Sequence, residues 1–359
     1  MARVVRFTGP RSVDVTDVQV PELQPGQVRV RTLASGISAG TELTAYRGTN
    51  PNMTSRWDPD LRLFLGAAQQ TATVYPLVGW GYSEVGEIVE TTAESGGDRP
   101  SSSGLPGLGD LVWGVWGHCS EAVLPIERLR GHRLPDGLDP VVSCFVRVGA
   151  IALNAVLAAG AGLGETLVIV GQGVIGLLAT SFASQTGARI IAVDGVEGRR
   201  TLARELGASE TFGPGPEVAL AIRELTGGRG ADVAIDLSGA YPALHESIRM
   251  VGPDGRVVAS GFYQGDATAL RLGEEFHHNR VEIVASQIGS VPAAKRARWD
   301  MARLQATVVD LISAGRPDVT RLVSHRFQVE QAAQAYALLD AQPASVLQVV
   351  FEFGSGDPT

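Results

Sequence analysis

A six-residue glycine pattern in the middle of the chain constrains the fold more than any other feature. It reads GQGVIG from Gly171 to Gly176 and directly follows TLVIV (166–170), an apolar run with the length of a buried strand. A small-residue segment typical of a helix comes next, and Asp194 ends the following apolar run 18 residues after Gly176. This order of strand, glycines, helix and acidic residue predicts a βαβ unit that binds a dinucleotide.

The three glycines have separate physical tasks in such a unit. Gly171 permits a tight turn, Gly173 lets the backbone approach a pyrophosphate at the helix N-terminus, and Gly176 allows the helix to pack closely on the strand. The intervening residues are also predicted cofactor contacts: Gln172, Val174 and Ile175.

The residues after the second strand bear on which dinucleotide binds. The Asp194 carboxylate can accept hydrogen bonds from both ribose hydroxyls and would repel a 2′-phosphate, which favours NAD. Arg199 and Arg200 follow closely and are candidates to hold that phosphate, so NADP stays open.

Residues 148–291 alternate apolar strands with helical segments, which predicts a parallel sheet covered on both faces. In such a sheet the carboxyl ends of the strands line the ligand crevice. We therefore expect four residues that end later strands to approach the nicotinamide: Leu237, Ser238, Gly261 and Phe262.

The remaining chain indicates a second, β-rich domain. Residues 1–147 contain short alternating runs separated by Gly/Pro turns, and residues 292–359 bring β-character back after a long helix. We assign 1–147 together with 292–359 to one domain. Within it, 47–76 reads as a long loop with one helical turn and no clear strand, and 94–110 reads as a polar loop.

Three stretches carry a resemblance to a known family. SGISAGTE (35–42), YPLVGWGYSEVG (75–86) and the segment from GFYQGD to SQIGSVP (261–292) resemble the zinc-free branch of the medium-chain dehydrogenase/reductase superfamily, near bacteriochlorophyllide dehydrogenase-like proteins. The resemblance implies an α/β fold: a GroES-like β-rich catalytic domain plus a Rossmann domain with a doubly wound parallel sheet.

The resemblance also implies that the catalytic zinc of other members is missing. Their first ligand, a cysteine, corresponds to Ser38 or Ala39, their histidine to Tyr82, and their third ligand falls near Arg147, a fixed cation. None of these is a plausible zinc ligand, so we predict no zinc.

A donor other than a metal must then stabilise the charge that develops on the reacting oxygen. Thr41, Tyr82 and Arg147 are the candidates. Each has a structural alternative: Thr41 caps a turn, Tyr82 packs in the core, and Arg147 pairs with Glu42 or Glu84. Four further residues are weaker candidates for substrate contact: Ser38, Glu42, Tyr46 and Arg47.

Composition excludes several other classes of protein. A net charge of −8 without a basic cluster argues against a nucleic-acid partner. No apolar run suggests a membrane span, and MARVVRFTGP lacks a signal-peptide core, so a cytoplasmic protein is expected. The only lysine, Lys295, has no tyrosine four residues before it, which excludes short-chain dehydrogenase chemistry.

The sequence thus predicts a zinc-independent, NAD(P)-dependent oxidoreductase that interconverts an alcohol and a carbonyl on a small, polar or ring-bearing molecule. Two alternatives stay open: reduction of a C=C bond in an enone or quinone, and a non-catalytic NAD(P)-binding protein. Relatives that pair through an edge strand suggest a homodimer with 281–287 as its seam.

Overall fold

The computed structural model describes residues 1–66, 74–92 and 104–354. Its strands are β1 (Ala2–Gly9), β2 (Ser12–Val18), β3 (Gln27–Ile37), β4 (Ser55–Asp58), β5 (Leu63–Gly66), β6 (Leu77–Val78), β7 (Glu84–Thr91), β8 (Leu111–Gly114), β9 (Glu121–Pro125), β10 (Thr166–Val170), β11 (Arg189–Val193), β12 (Glu210–Phe212), β13 (Ala231–Asp236), β14 (Val251–Ala259), β15 (Glu282–Ala285), β16 (Val323–Gln328) and β17 (Gln348–Glu352). Its helices are α1 (Ala39–Arg47), α2 (Pro140–Ser143), α3 (Phe145–Ala159), α4 (Val174–Ser184), α5 (Glu197–Glu205), α6 (Val218–Leu225), α7 (Tyr241–Met250), α8 (Met301–Ser313) and α9 (Ala332–Ala341).

The chain divides into two compact units. The first unit comprises Met1–Arg147 and Val319–Thr359, and the second comprises Val148–Asp318. The domain expected from sequence put 292–318 in the first unit, whereas the structure puts it in the second. The physical reason is the packing of α8 on α3: a Cβ on Gly149 would lie 2.6 Å from Val308, so the bare glycine lets the two helices approach.

The first unit is β-rich and mainly antiparallel. One sheet has the order β16-β17-β3-β7-β8, with β9 also paired to β3, and a smaller sheet has the order β2-β1-β6. The C-terminal strand β17 pairs with β3 in the register Val350↔Gly36, so the end of the chain completes the sheet begun at its start. Buried Val28 and Val30 alternate with more exposed neighbours along β3, as expected for a strand with one face in a core.

The first unit differs from the sequence expectation between residues 47 and 76. A hairpin of β4 and β5 lies in the segment that was predicted to contain no clear strand. Residues 67–73 of that segment, and 94–103 of the predicted polar loop 94–110, lie outside the described residues.

The second unit is built on a parallel sheet of order β12-β11-β10-β13-β14-β15. Every residue of β10 is buried, as expected for a central strand covered on both faces. The order reverses at β10, since β11 lies on one side of it and β13 on the other. A sheet of this kind binds ligands at the carboxyl ends of the strands next to that reversal.

Among the described residues one helical stretch, Pro140–Ala159, is apolar and long enough to cross a membrane, contrary to the expectation from sequence. About 72% of that stretch is buried within the protein, as is usual for a core helix.

Candidate functional site

The nucleotide turn, residues 171–176, connects β10 to α4 in the second unit. Gly171 has φ +88°, a left-handed value that favours glycine. A Cβ on Gly176 would lie 1.8 Å from the carbonyl oxygen of Gly171, so any side chain there would force the turn apart. A Cβ on Gly173 would meet nothing within 4 Å, so space lies open above the residue that caps α4. Val174 and Ile175 form the first turn of α4 and are half-buried.

Gln172 does not present a contact to a ligand, contrary to the prediction. Its side chain is buried, donates to the carbonyl of Ile169 at 3.0 Å and accepts from the Thr180 hydroxyl at 2.9 Å. Its N–H donates to Asp194 Oδ2 at 2.6 Å. Gln172 therefore fixes the turn from inside, because its side-chain amide both donates and accepts a hydrogen bond within the protein.

Asp194 lies immediately after β11 and anchors the loop on both sides. Oδ2 accepts the N–H of Gln172, and Oδ1 accepts the N–H of Val196 at 2.8 Å. Each carboxylate oxygen retains a second lone pair for a ribose hydroxyl. Arg199 Nη1 lies 3.9 Å from Oδ2, while Arg200 donates to the Asp194 carbonyl and pairs with Glu197.

The structure brings the other predicted cofactor residues to the same edge. Gly171 lies against Leu237 and Ser238, since its Cβ would be 2.9 Å from the N of Ser238. Gly261 lies against Gly239, with a would-be Cβ 2.4 Å from that residue's N. Phe262 is adjacent and 44% exposed. These backbone contacts make a crevice rim from the ends of β10, β13 and β14.

The first unit holds the residues that the resemblance matches to the metal ligands of other members. Helix α1 begins after Ser38, and the Ser38 hydroxyl is hydrogen-bonded to the hydroxyl of Tyr82, which lies just before β7. Thr41 on α1 also hydrogen-bonds the Tyr82 hydroxyl. Burial raises the pKa of Tyr82, while the hydrogen bonds from Ser38 and Thr41 oppose that shift. Tyr82 therefore keeps its proton at neutral pH and can donate it.

Arg147, at the start of α3, adds a positive charge beside Tyr82. The nearby guanidinium favours the charged form of Tyr82, and burial lowers the pKa of Arg147 itself. Its Nε is buried and makes no hydrogen bond, and no carboxylate of the described residues lies within 4 Å of it. The alternative that Arg147 pairs with Glu42 or Glu84 is thus wrong for the described chain.

Glu42 lies beneath these hydroxyls, in a fully buried network. Its Oε1 accepts the N–H of Ser38 at 2.7 Å, and its Oε2 accepts from His118 Nε2 at 2.8 Å and from the Tyr336 hydroxyl at 2.5 Å. Because Glu42 is completely buried, it does not line a substrate surface as predicted. Its geometry holds Ser38, and through Ser38 the Tyr82 hydroxyl.

His118 links Glu42 to a second buried carboxyl. Its Nδ1 is 2.6 Å from the Ser35 hydroxyl and 3.9 Å from Glu84 Oε1. Burial lowers the pKa of His118, but the two carboxylates outweigh burial and raise it above its ordinary value. Burial raises the pKa of Glu84 to about 7. The carboxylates thus favour the protonated form of His118, with Glu42 in direct contact with its ring and Glu84 farther away.

Two other predicted substrate residues make contacts within the first unit. Tyr46 is buried in the core, where its ring stacks on Tyr336 at 5.7 Å and meets Phe7 edge-on. Arg47 forms an ion pair with Asp340 at 2.6 Å. No local pattern points to Tyr336 or His118, because both reach Glu42 only through the tertiary fold.

The donor set of the first unit does not fit zinc. Ser38, Tyr82 and Arg147 offer no thiolate or imidazole. The two cysteines are both buried, and burial raises the pKa of the Cys119 thiol to about 12 and that of Cys144 well above its usual range. Across the part of the first unit that the structure describes, no three potential ligands lie close enough to hold an ion.

Similarity to known proteins supports the fold and the class of enzyme. Residues 174–305 match the family model described as zinc-binding dehydrogenase. The chain is 26% identical over 352 residues to D-guloside 3-dehydrogenase of Escherichia coli (strain K12), covering 96% of this chain and 98% of that protein.

Solved structures agree on the architecture. The crystal structure of 2R,3R-butanediol dehydrogenase from Bacillus subtilis superposes with a TM-score of 0.77 at 20% identity, covering 99% of this chain and 100% of that one. A dehydrogenase from Sinorhizobium meliloti 1021 bound to NADP gives a TM-score of 0.75 at 21% identity, with coverage of 98% and 99%.

The chain is therefore similar along nearly its whole length to dehydrogenases, and this similarity supports an NAD(P)-dependent oxidoreductase. The predicted fold class, a β-rich catalytic domain with a Rossmann domain, and the predicted class of enzyme are confirmed.

Proposed function

We propose that the protein is a zinc-independent, NAD-preferring dehydrogenase that interconverts an alcohol and a carbonyl on a small polar molecule. The observation that carries the proposal is the nucleotide turn. The backbones of Gly171 and Gly176 are in close contact there, and the Asp194 carboxylate accepts the N–H of Gln172. The residues fit the cofactor, since the open space at Gly173 and the N-terminus of α4 suit a pyrophosphate. When bound, the cofactor supplies or accepts the hydride.

The first unit supplies the proton and the charge stabilisation. Tyr82 donates its hydroxyl proton to the oxygen that becomes negative, and Ser38 and Thr41 pass the proton to and from Tyr82. Arg147 stabilises the tyrosinate and the oxyanion electrostatically. Thus a phenol and a guanidinium perform the polarising role that zinc performs elsewhere.

The hydroxyls of Ser38, Thr41 and Tyr82 and the Arg147 guanidinium support a polar substrate, because they suit a molecule with several oxygens. The name of the Escherichia coli relative, D-guloside 3-dehydrogenase, agrees with a polyhydroxylated substrate. Glycosides and polyols are therefore the first compounds to test with NAD and NADP. A deuterated cofactor then separates alcohol formation, which labels a carbinol carbon, from C=C reduction, which labels a β-carbon.

The proposal is tested by two substitutions and a matched control. We expect Tyr82→Phe and Arg147→Ala each to lower kcat by about 10²–10³, the usual cost of removing one oxyanion donor. Tyr75→Phe removes a phenol that only donates to the Ala45 carbonyl, and should leave kcat unchanged. Full turnover in both Tyr82→Phe and Arg147→Ala would contradict the assigned roles.

Zinc independence has a separate test. Protein freed of metal by chelation, and checked by elemental analysis, should retain its turnover. Loss of turnover on chelation, with recovery on adding zinc, would contradict zinc independence.

The assembly and location that we propose are a cytoplasmic homodimer without nucleic-acid or membrane partners. Support for a dimer comes from β15, the edge strand of the parallel sheet, where Ile283 and Val284 are only half-buried. Sedimentation of the parent and of an Ile283→Lys variant would test this seam.

A further inference from the structure

Three side chains capable of binding a metal meet in the second unit, outside the residues assigned to the nucleotide turn. They are His245 on α7 and the adjacent pair Glu274 and Glu275, which lie between β14 and β15. One ligand atom of each lies within 4.8 Å of those of the other two. Within the described ranges no other group of three histidine, cysteine or acidic side chains is this close.

The ligand atoms of this group lack hydrogen bonds that they would normally make. His245 has a side chain only 10% exposed, and its Nδ1 is buried without a hydrogen-bond partner. Its Nε2 is 4.0 Å from Glu274 Oε2, too far for a hydrogen bond. Glu275 Oε2 is also buried and unpartnered. Buried polar atoms without partners are rare and call for a bound water or ion.

Two arginines orient the carboxylates. Arg249 Nε lies 3.3 Å from Glu275 Oε1, and Arg271 Nη1 lies 3.7 Å from Glu274 Oε1. Arg249 is further held by Glu246 at 2.9 Å. Arg249 thus bonds Glu275 Oε1 and leaves its Oε2 for a ligand, whereas the exposed Arg271 lies beside Glu274 Oε1 without a hydrogen bond. Outer partners of this kind commonly fix the orientation of metal-binding carboxylates.

We propose that His245, Glu274 and Glu275 bind a divalent ion of the zinc class, with water completing its coordination. One imidazole and two carboxylates suit Zn²⁺ better than Mg²⁺ or Ca²⁺, which favour oxygen ligands alone. The half-exposed Glu274 side chain can close the remaining distance by changing its rotamer. The bound ion would link α7 to the segment between β14 and β15, so its role is to stabilise the second unit.

The experiment is a calorimetric titration of the metal-free full-length protein with zinc, repeated with cobalt to follow its visible absorption. We expect about one tight ion per chain and cobalt bands of the kind given by nitrogen and oxygen ligands. His245→Gln and Glu274→Gln should each weaken binding at least tenfold, because even outer-partner changes cost 10- to 100-fold.

The control is the double variant His277→Gln/His278→Gln, which removes two exposed neighbouring imidazoles and leaves the three ligands. It should bind zinc as the parent does, and zinc should raise the melting temperature of the parent but not of His245→Gln. The proposal is overturned if the parent binds no zinc, or if His245→Gln and Glu274→Gln bind it as tightly as the parent. Because Glu274 is exposed, Glu274→Gln should fold normally. Its zinc affinity therefore tests the site even if His245→Gln does not fold.

Discussion

The nucleotide turn and the buried Glu42 network contrast in how they are built. The turn uses contiguous residues, and its shape comes from absent side chains and from N–H groups bonded to Asp194. The network uses side chains from distant parts of the chain, and it buries the His118 ring between two carboxyl groups. The turn is therefore sensitive to added volume, whereas the network is sensitive to lost charge.

The largest effect that we predict from this contrast is the loss of stability in a Glu42 variant. Glu42→Gln leaves the His118 imidazolium buried without its main counter-ion, so we expect a loss of about 3–5 kcal/mol in the free energy of unfolding. Denaturant unfolding followed by tryptophan fluorescence measures it. The matched control is Glu87→Gln, which removes an exposed partner of Arg31 and should cost less than about 1 kcal/mol. Equal losses in the two variants would refute a charged network.

A pair of glycine variants sharpens the other side of the comparison. Gly176→Ala inserts a methyl group against the Gly171 carbonyl, which should cost about 2 kcal/mol and weaken NAD binding about 30-fold. Gly173→Ala meets no atom, so it should leave the melting temperature unchanged and weaken only NAD binding. Calorimetric NAD titrations and thermal unfolding separate the two. A lower melting temperature for Gly173→Ala would contradict the claim that a side chain at this position meets no other atom.

Stability against pH tests the network without removing it. The folded pKa of Glu84 is raised to about 7, so the folded state holds a proton that the unfolded state releases near pH 4.5. Stability therefore falls as pH rises through that window, and the raised pKa of His118 acts in the same direction. We expect Glu84→Gln to shrink the stability difference between about pH 5 and pH 8 by about 1–3 kcal/mol. If the unfolding free energy depends on pH in the same way in Glu84→Gln and in the parent across that range, the raised pKa of Glu84 is contradicted.

The smallest expected effect concerns the choice of cofactor. Asp194→Asn removes the charge that would repel a 2′-phosphate while leaving one oxygen to accept a backbone N–H. The ratio of NADP to NAD affinity should rise about tenfold, equivalent to about 1.4 kcal/mol. Comparison of Kd values for the two cofactors measures it. A ratio that does not change would mean that Asp194 serves the loop alone.

Local patterns in the sequence predicted the turn well. A glycine spacing next to a strand carries its own geometry, so Gly171, Gly176 and Asp194 could be found without tertiary information. Gln172 was assigned wrongly, because nothing in the pattern says that its side chain turns inward to Thr180.

The network was only partly predictable. The proximity of Ser38, Thr41 and Tyr82 followed from a family resemblance, but His118 is 76 residues from Glu42 and Tyr336 is 294 residues away. Sequence separation of that size leaves no periodic signal. The prediction that Tyr46 contacts substrate was wrong for the same reason, since its burial depends on Tyr336. Residues 292–318 were misplaced because the contact of Gly149 with Val308 is equally non-local.

The pairing of β17 with β3 also sets the order in which the protein matures on the ribosome. The second unit is complete once residue 318 has emerged, whereas the first must wait for Tyr336 and β17. The half of the molecule that begins translation is thus the last to finish folding. Until then the Ala34–Ile37 end of β3 lacks its β17 partner, and Glu42 lacks the hydrogen bond from Tyr336.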